Sequence, residues 1–264
     1  MNHRPRKRFG QNFLRDPGVI QRIARAIHPR PQQHLVEIGP GQGALTASLL
    51  DSGCRLDAVE LDRDLVPVLL AQFVSNKQFR LHQADALNFD FKTLQTEGEK
   101  LRVVGNLPYN ISTPLIFHLL EQQEVIADMY FMLQLEVVNR LAAAPGSKHY
   151  GRLSVMAQYY CQVQALFEVP PGAFYPPPKV QSAIVQLVPH LAVDGKLPCP
   201  AADIEQLQSL LRVVFNQRRK TLRNSLKGLL SVEDIEALDI DPSQRPENLT
   251  LQQFVALSNR AGER

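Results

Sequence analysis

The chain carries at residues 37–44 the sequence Glu37-Ile38-Gly39-Pro40-Gly41-Gln42-Gly43-Ala44. An apolar strand pattern, His34–Ile38, leads into this stretch, and a helical pattern, Gly43–Leu50, leads out of it. Glycines at a strand-to-helix turn let the backbone approach a ligand closely, and they leave the N–H groups of the helix N-terminus free to donate. The stretch therefore predicts the first strand-turn-helix unit of an α/β fold, with a ligand site at the turn.

Strand and helix patterns alternate on both sides of this turn. A helix is predicted to begin at Asp16-Pro17, where an Asp N-cap precedes a proline at the first helical position. Short apolar runs predict strands at Leu56–Glu60, Phe79–His82, Leu101–Val104 and Met129–Leu133. Helical spacing is found at Asp62–Phe73, Thr113–Leu120 and Leu153–Tyr160. This alternation predicts a Rossmann-like α/β fold with a mostly parallel sheet that helices cover on both faces.

The pattern changes after residue 160. Two further strands are predicted at Val163–Val169 and Ala183–Val188, and only the proline-rich sequence PPGAFYPPPKV separates them, so we expect an antiparallel pair at the end of the sheet. Pro189–Pro200 is typical of a linker. Beyond it, helical spacing is found at Ile204–Phe215, Leu222–Leu230, Val232–Leu238 and Leu251–Asn259. We therefore expect a sheet domain at 1–190 and a small all-helical domain at 195–264.

Composition excludes several classes of protein. The 264 residues are 44% hydrophobic and 21% charged, which is typical of a globular protein. No apolar run approaches the roughly 18 residues that span a bilayer, and no apolar segment follows the basic N-terminus, so neither a membrane anchor nor a secretory signal is expected. The three cysteines lie far apart, without a CxxC or Cys/His pair. They argue against a disulfide framework or a metal site and favour the cytoplasm.

Charge is concentrated in two segments. The net charge is only +3, but residues 1–30 contain eight basic residues and one acid, a balance of +7, and residues 212–227 contain six basic residues and no acid, a balance of +6. The rest of the chain therefore balances at −10. Two basic blocks on an acidic body predict a polyanionic partner. The residues expected to bind it are Arg4, Arg6, Lys7, Arg8, Arg218, Arg219, Lys220 and Arg223.

Two acids lie at the ends of the next two predicted strands. Glu60 lies 21 residues after Gly39, and its carboxylate can accept both hydroxyls of a ribose. The turn also satisfies GxGxxA, so a nicotinamide dinucleotide and S-adenosylmethionine remain equally open at this point. Asp85, in QADA, can accept from an adenine amino group. The combination of EIGPGQG, VELD and QADA at these spacings resembles the class I methyltransferases.

Asn106-Leu107-Pro108-Tyr109-Asn110 follows the strand pattern LRVV, at the edge where open α/β sheets bind ligands. The amino group of an adenine is a poor nucleophile because its lone pair is delocalised into the ring. The Asn106 side-chain oxygen and the Leu107 carbonyl can draw its hydrogens out of plane and expose that lone pair. Pro108 has no N–H to occupy the site, and stacking of Tyr109 on the base would be worth roughly 1–3 kcal/mol.

The motifs together resemble the ribosomal RNA adenine N6-dimethyltransferase family, and within it the KsgA (RsmA) type. The resemblance rests on GQNFL, EIGPGQGALT, NLPYN, FYPPPKVQSA and VVFNQRRKTLRNSL, and it covers nearly the whole chain. It implies transfer of four methyl groups from S-adenosylmethionine to two adjacent adenosines in a hairpin loop near the 3′ end of small-subunit (16S) rRNA. It also implies action on a late assembly particle of the small ribosomal subunit, and we expect a monomer.

The resemblance also assigns roles to individual residues. The implied cofactor-binding residues are Asn12, Leu14, Gly39, Gly41, Glu60, Asp85 and Asn106. The implied catalytic residues around the target base are Asn106, Leu107, Pro108, Tyr109 and Phe174. Phe174 matches an aromatic residue that closes on the base opposite Tyr109.

Three alternatives stay open from the sequence. An Erm-type enzyme would methylate large-subunit rRNA with the same chemistry, although QRRKTLRNSL and a full helical tail favour the small-subunit type. A nicotinamide-dependent oxidoreductase would use GxGxxA and Glu60. A non-catalytic ribosome assembly factor would not need the intact NLPY motif.

Overall fold

A computed structural model describes residues 11–96, 98–108, 110–190 and 197–263. The strands in chain order are β1 (Phe13–Leu14), β2 (His34–Ile38), β3 (Arg55–Glu60), β4 (Phe79–Gln83), β5 (Leu101–Asn106), β6 (Ile126–Gln134), β7 (Cys161–Val169), β8 (Phe174–Tyr175) and β9 (Ser182–Pro189). The helices are α1 (Pro17–Ile27), α2 (Ala44–Leu50), α3 (Val66–Phe73), α4 (Ser112–Leu120), α5 (Leu135–Leu141), α6 (Arg152–Tyr160), α7 (Ile204–Asn216), α8 (Leu222–Ser225), α9 (Val232–Glu236) and α10 (Leu251–Gly262).

Seven of the described strands form one sheet in the order β4-β3-β2-β5-β6-β9-β7. The strands from β4 to β6 run parallel, whereas β9 runs antiparallel to β6. The predicted Rossmann-like class, a mostly parallel sheet with an antiparallel element at its end, is confirmed. Because the chain passes from β4, on one side of β2, to β5 on the other, the strand order reverses between β2 and β5. Open α/β sheets bind their ligands at the carboxyl ends of the strands at such a reversal.

The predicted helices are present, but some have different bounds. α1 begins as expected: the Asp16 carboxylate accepts from the Val19 N–H at 2.9 Å, and Pro17 stands at the first position. α3 begins at Val66 rather than Asp62, because Pro67 lacks an N–H and must lie in the first helical turn. α8 ends at Ser225 rather than at residue 230, and Gly228 follows with a φ of +91°.

A second, two-stranded sheet joins distant parts of the sequence. β1 pairs antiparallel with β8, so that Phe13 lies opposite Tyr175 and Leu14 lies opposite Phe174. The backbone N–H of Arg15 extends this pairing by donating to the Ala173 carbonyl at 2.8 Å. Two-residue strands carry no periodicity, so the sequence pattern did not predict either of them. The pairing fixes the last two residues of the GQNFL stretch against the first two residues of the FYPPP segment.

The chain divides into two compact units. The first contains residues 1–138 and 164–189, and the second contains residues 139–163 and 190–264. The sequence analysis placed 139–163 in the sheet domain, whereas the structure places this segment with the helices of the second unit. Its Tyr150 ring lies edge-on to Phe215 of α7, 6.3 Å between ring centroids. A discontinuous unit of this kind depends on packing, which local sequence spacing does not report.

A buried carboxylate joins three neighbouring strands of the sheet. Asp57 on β3 is only 3% exposed, and its two oxygens bond His34 Nε2 and His82 Nε2, each at 2.5 Å. Burial would raise the pKa of Asp57, but the hydrogen bonds and the charges of the two histidines outweigh burial and hold this pKa well below its ordinary value. Asp57 therefore remains ionised and stabilises the fold at neutral pH.

We expect Asp57→Asn to lower the free energy of unfolding at pH 7 by roughly 2–4 kcal/mol, because it leaves the buried His34 and the partly exposed His82 without their charged partner. A carboxylate whose pKa is depressed on folding contributes stability above its unfolded pKa of about 4 and loses it as the pH falls below that value. The gap between variant and wild type should thus narrow toward pH 3. Urea denaturation at several pH values measures it, with the exposed Asp51→Asn as a control. A gap that does not change with pH would contradict this account.

Candidate active site

One cavity of the first unit collects most of the predicted site residues at the carboxyl ends of the strands. Among the residues that line it are Asn12, Leu14, Gly39, Gly41, Glu60, Asp85, Asn106, Leu107 and Pro108. Tyr109 lies outside the described residues. Asn12 and Asn106, which are 94 residues apart in the sequence, therefore meet at one site. Within the described chain, Phe174 is not among the lining residues.

The glycine-rich turn forms one wall of the cavity. Gly41 has a φ of +60°, and a Cβ there would lie 3.0 Å from the Phe13 ring. Gly43 has a φ of +79°, and a Cβ there would lie only 2.7 Å from the Phe73 ring. Both positions therefore require glycine for backbone conformation and for space. The tight turn brings the N-terminus of α2 to the cavity.

Glu60 is the last residue of β3, the strand next to β2 in the sheet. It is 6% exposed, and its Oε1 accepts from the Asp62 N–H at 2.7 Å. Burial raises the pKa of Glu60, and the backbone N–H groups of Asp62 and Gly41 partly offset that increase. Asp62 also lines the cavity and accepts from Gln11 Nε2 at 2.8 Å. The sequence analysis treated Asp62 as a helix start and missed its position in the cavity. The signal that could have identified it is its place two residues after Glu60.

Asp85 follows β4, lines the cavity and accepts two local hydrogen bonds. Its Oδ1 accepts from the Leu87 N–H and its Oδ2 accepts from Asn88 Nδ2, each at 3.0 Å. These bonds fix the carboxylate in a local turn. Since an ionised carboxylate has about four lone-pair positions, both oxygens retain the capacity to accept from a ligand.

Asn106 ends β5 and is held by the N-terminal segment. Its Nδ2 donates to the Asn12 carbonyl at 3.0 Å, which fixes the orientation of the amide. The side-chain oxygen is the acceptor of this amide. The Leu107 N–H donates to the Met132 carbonyl at 3.2 Å, so the peptide after Asn106 stays paired with β6. The two acceptors proposed for an adenine amine thus come from a backbone segment fixed on both sides.

Phe174 packs in the interior rather than facing the cavity. It is 5% exposed and belongs to the apolar cluster that also contains Phe13 and Leu14. The next residue, Tyr175, is 52% exposed, and the Arg15 guanidinium lies 4.3 Å from its ring centroid. Closure of Phe174 on a base would therefore require a change from this packing, and that role stays a prediction.

Glu37 is an acid of the cavity that the sequence analysis quoted without giving it a function. It lies on the central strand β2, is 2% exposed, and accepts from Thr46 Oγ1 at 2.6 Å. Burial raises the pKa of Glu37 to about 7; the Thr46 hydrogen bond lowers it, and the nearby charge of Glu60 raises it further. An acid inside a buried strand, immediately before the glycine turn, is the signal that could have identified it.

The family model for ribosomal RNA adenine dimethylase matches residues 2–263. The chain belongs to the ribosomal RNA adenine dimethylase family. The match includes the glycine turn, Glu60, Asp85 and residues 106–108, which the structure brings to one cavity.

Individual relatives agree with this assignment. The ribosomal RNA small subunit methyltransferase A of Pseudomonas aeruginosa is 64% identical over 261 residues, which cover 99% of this chain and 96% of the relative. The protein of the same name from Marinobacter nauticus is 59% identical, covering 97% of this chain and 91% of the relative. The crystal structure of the 23S rRNA methyltransferase ErmE has a TM-score of 0.74 at 25% identity, covering 95% of this chain and 100% of that one.

The second unit of this dimethylase-family chain carries the second basic segment. Arg219, Lys220 and Arg223 are exposed, as expected for residues that bind a polyanion. Arg218 is different because its Nε donates to Glu247 Oε2 at 2.7 Å. Arg4, Arg6, Lys7 and Arg8 lie outside the described residues. In the part of the chain that the structure describes, no cluster of three metal-ligating side chains and no helix long and apolar enough to span a membrane is found.

The glycine turn of this family member gives a stability prediction with a matched control. Gly98→Ala places a methyl group at a φ of +80° with nothing within 4 Å, so it should cost only the roughly 1–2 kcal/mol of left-handed strain. Gly43→Ala pays similar strain and in addition pushes against the buried Phe73 ring, so we expect a loss of roughly 2–4 kcal/mol. Urea denaturation of both variants measures the difference. Equal losses would show that the contact with Phe73 relaxes without cost.

Proposed function

We propose that this chain is an S-adenosylmethionine-dependent rRNA adenine N6-dimethyltransferase, acting on two adjacent adenosines in the 3′-terminal hairpin loop of small-subunit (16S) rRNA. The observation that carries the proposal is the single cavity in which Asn106 lies with Glu60 and Asp85. Two relatives at 59% and 64% identity are named as small-subunit rRNA methyltransferases, which supports the small subunit as the target. The likeness to ErmE, at 25% identity, supports the chemistry rather than the large subunit as the target.

The cavity suits S-adenosylmethionine. Glu60 would accept the ribose hydroxyls and Asp85 the adenine amino group, while Asn12, Leu14 and the glycine turn would hold the methionine part. The absence of Cβ atoms at Gly39 and Gly41 gives a ligand access to the backbone. When bound, S-adenosylmethionine supplies a methyl group on a positively charged sulfur.

The residues after β5 prepare the adenine amine. The Asn106 side-chain oxygen and the Leu107 carbonyl would accept its two N–H groups, and this lowers the conjugation of the nitrogen lone pair with the ring. Because Asn106 Nδ2 is already bonded to the Asn12 carbonyl, its amide is oriented before substrate arrives. The methylated amine is acidic enough to lose its proton to water, so no strong general base is required. Tyr109 and Phe174 would stack on the base from either side.

The RNA itself is held outside this cavity by charge. A base in a duplex cannot reach a closed pocket, so the enzyme takes adenosines from an unpaired loop or extrudes them. The N-terminal basic block and the basic segment of the second unit would bind the flanking phosphates, and binding would weaken steeply with salt. We propose that the chain acts as a monomer in the cytoplasm on a late small-subunit assembly particle.

The proposal is tested by methyl transfer and by mapping of the product. Tritiated S-adenosylmethionine should label unmethylated small subunits from a strain that lacks this methylation. Primer extension should then stop at two adjacent adenosines in the 3′-terminal loop of 16S rRNA. Labelling of large-subunit rRNA instead would replace the proposal with an Erm-type activity. Binding of NADH in place of S-adenosylmethionine, measured by calorimetry, would refute a methyltransferase.

In the same assay, Asn106→Ala should lower kcat by roughly a hundredfold or more, because one of the two acceptors for the amine is lost. Binding of small subunits should remain nearly unchanged, since phosphate contacts dominate affinity. Asn76→Ala, at an exposed turn before β4, is the control and should retain full activity. Full activity of Asn106→Ala would remove Asn106 from the catalytic residues and favour a binding role for the protein.

The raised pKa of Glu37 leads us to expect that cofactor binding depends on pH. Its carboxyl group, with a pKa of about 7 in the free protein, is largely neutral at pH 6 and charged at pH 8. A bound sulfonium favours the charged form, so affinity for S-adenosylmethionine should rise by about fivefold to tenfold over this interval. Calorimetry should show a smaller rise for S-adenosylhomocysteine, which lacks the sulfonium charge. In Glu37→Gln, the affinities for S-adenosylmethionine and S-adenosylhomocysteine should depend on pH to the same extent. If S-adenosylmethionine still shows the larger rise, another group is responsible.

A further inference from the structure

Arg218 sits at the centre of a hydrogen-bond network in the second unit. Its Nε donates to Glu247 Oε2 at 2.7 Å, and its Nη2 donates to the Lys148 carbonyl at 2.8 Å and the Ser147 carbonyl at 3.4 Å. The Gly146 N–H in turn donates to the Glu247 carbonyl at 2.7 Å. Arg218 and Glu247 therefore hold three consecutive residues, 146–148, in the middle of the loop that connects α5 to α6.

These contacts separate Arg218 from the basic residues around it. Its charge is balanced by Glu247, and three of the five N–H groups of a guanidinium already have acceptors. Lys148, Arg219 and Lys220 are exposed, and the structure gives none of them an ion pair with another described residue. The Lys220 N–H donates to the Gln217 carbonyl at 2.8 Å, so the turn after α7 keeps these residues close to Arg218.

We propose that Arg218 is a positioning residue rather than a phosphate contact, and that it fixes the loop so that Lys148 joins Arg219 and Lys220 in one phosphate-binding surface. The proposal rests on the proposed function, since it takes rRNA to be the polyanion. It adds Lys148 to the RNA-binding residues predicted from the sequence and changes the role of Arg218. Three cations without acidic partners attract phosphate more strongly than an arginine already paired with a carboxylate.

Glu247→Gln distinguishes this role from a direct contact by the sign of its effect. If Arg218 bound phosphate itself, removal of its acidic partner would free a cation and strengthen RNA binding. If Arg218 positions the loop, the same change releases Lys148 from the surface and weakens binding, even though the protein becomes more positive by one charge. Glu236→Gln, an exposed acid at the end of α9, makes the same change in charge outside the network.

The measurement is the Kd for unmethylated small subunits across a series of salt concentrations. We expect Lys148→Gln to weaken binding by about threefold to tenfold and to reduce the salt slope by about one. Glu247→Gln should weaken binding to a similar extent. Arg218→Lys should also weaken binding, because lysine lacks the planar fork of the guanidinium. The double variant K148Q/E247Q should bind little more weakly than either single variant. A role confined to folding would lower thermal stability without a change in the salt slope.

The outcomes also separate this proposal from the one on which it rests. If wild-type protein binds and methylates small subunits but Glu247→Gln binds as tightly as Glu236→Gln or more so, Arg218 is a direct contact and the positioning role is wrong. Unchanged binding by Lys148→Gln, which alters an exposed side chain only, equally overturns the surface. If the wild type does not bind small subunits at all, the proposed function fails and this inference fails with it.

Discussion

The close parallel pairing of β2 with β5 is the constraint on which the site depends. Ile38 lies opposite Gly105, and a Cβ at Gly105 would lie 2.6 Å from the Ile38 carbonyl oxygen. Glycine therefore allows the last pair of this ladder to form. One residue further on, the glycine turn begins at Gly39 and the NLPYN segment begins at Asn106, and a Cβ on Gly39 would lie 3.9 Å from the Asn106 carbonyl oxygen. The glycine turn and the segment that begins at Asn106 are neighbours because the two strands are neighbours.

The buried acids show what the cavity is built to receive. Burial raises the pKa of Glu37, and the nearby charge of Glu60 raises it further. Among the described residues that line the cavity there is no lysine, arginine or histidine to offset these acids. Burial of a charge without a partner is unfavourable, and perturbed acids of this kind concentrate at functional sites. A ligand with a positive charge removes the penalty, whereas the two phosphates of a nicotinamide dinucleotide would increase it. Electrostatics thus favours a sulfonium over a dinucleotide, although the GxGxxA spacing permits both.

The sequence predicted those features that depend on residues close together in the chain. The strands and helices of the sheet follow from apolar spacing, and the positions of Glu60, Asp85 and Asn106 at strand ends follow from the parallel order. The pairing of β1 with β8 did not follow, because two residues have no period and the partners are distant in sequence. The interior position of Phe174 depends on that pairing, so a motif match alone could not give it. The role of Asp62 was missed for a related reason: Pro67, not Asp62, sets the start of α3.

A count of charges treats every arginine alike, although the fold uses arginines in different ways. Arg102 on β5 shows the alternative use: it donates to both oxygens of Asp128 at 2.9 and 3.0 Å and to the Ile27 carbonyl at 2.7 Å. Arg218 makes a similar pair of contacts in the second unit, to the carboxylate of Glu247 and to the backbone carbonyl of Lys148. A planar guanidinium can join a carboxylate and a backbone carbonyl at once, and an ammonium group does so with less geometric definition. In a basic segment, the side chains that have no acidic partner within the fold keep their charge for a partner molecule, and this difference between Arg218 and its neighbours is the reason for the positioning role proposed above.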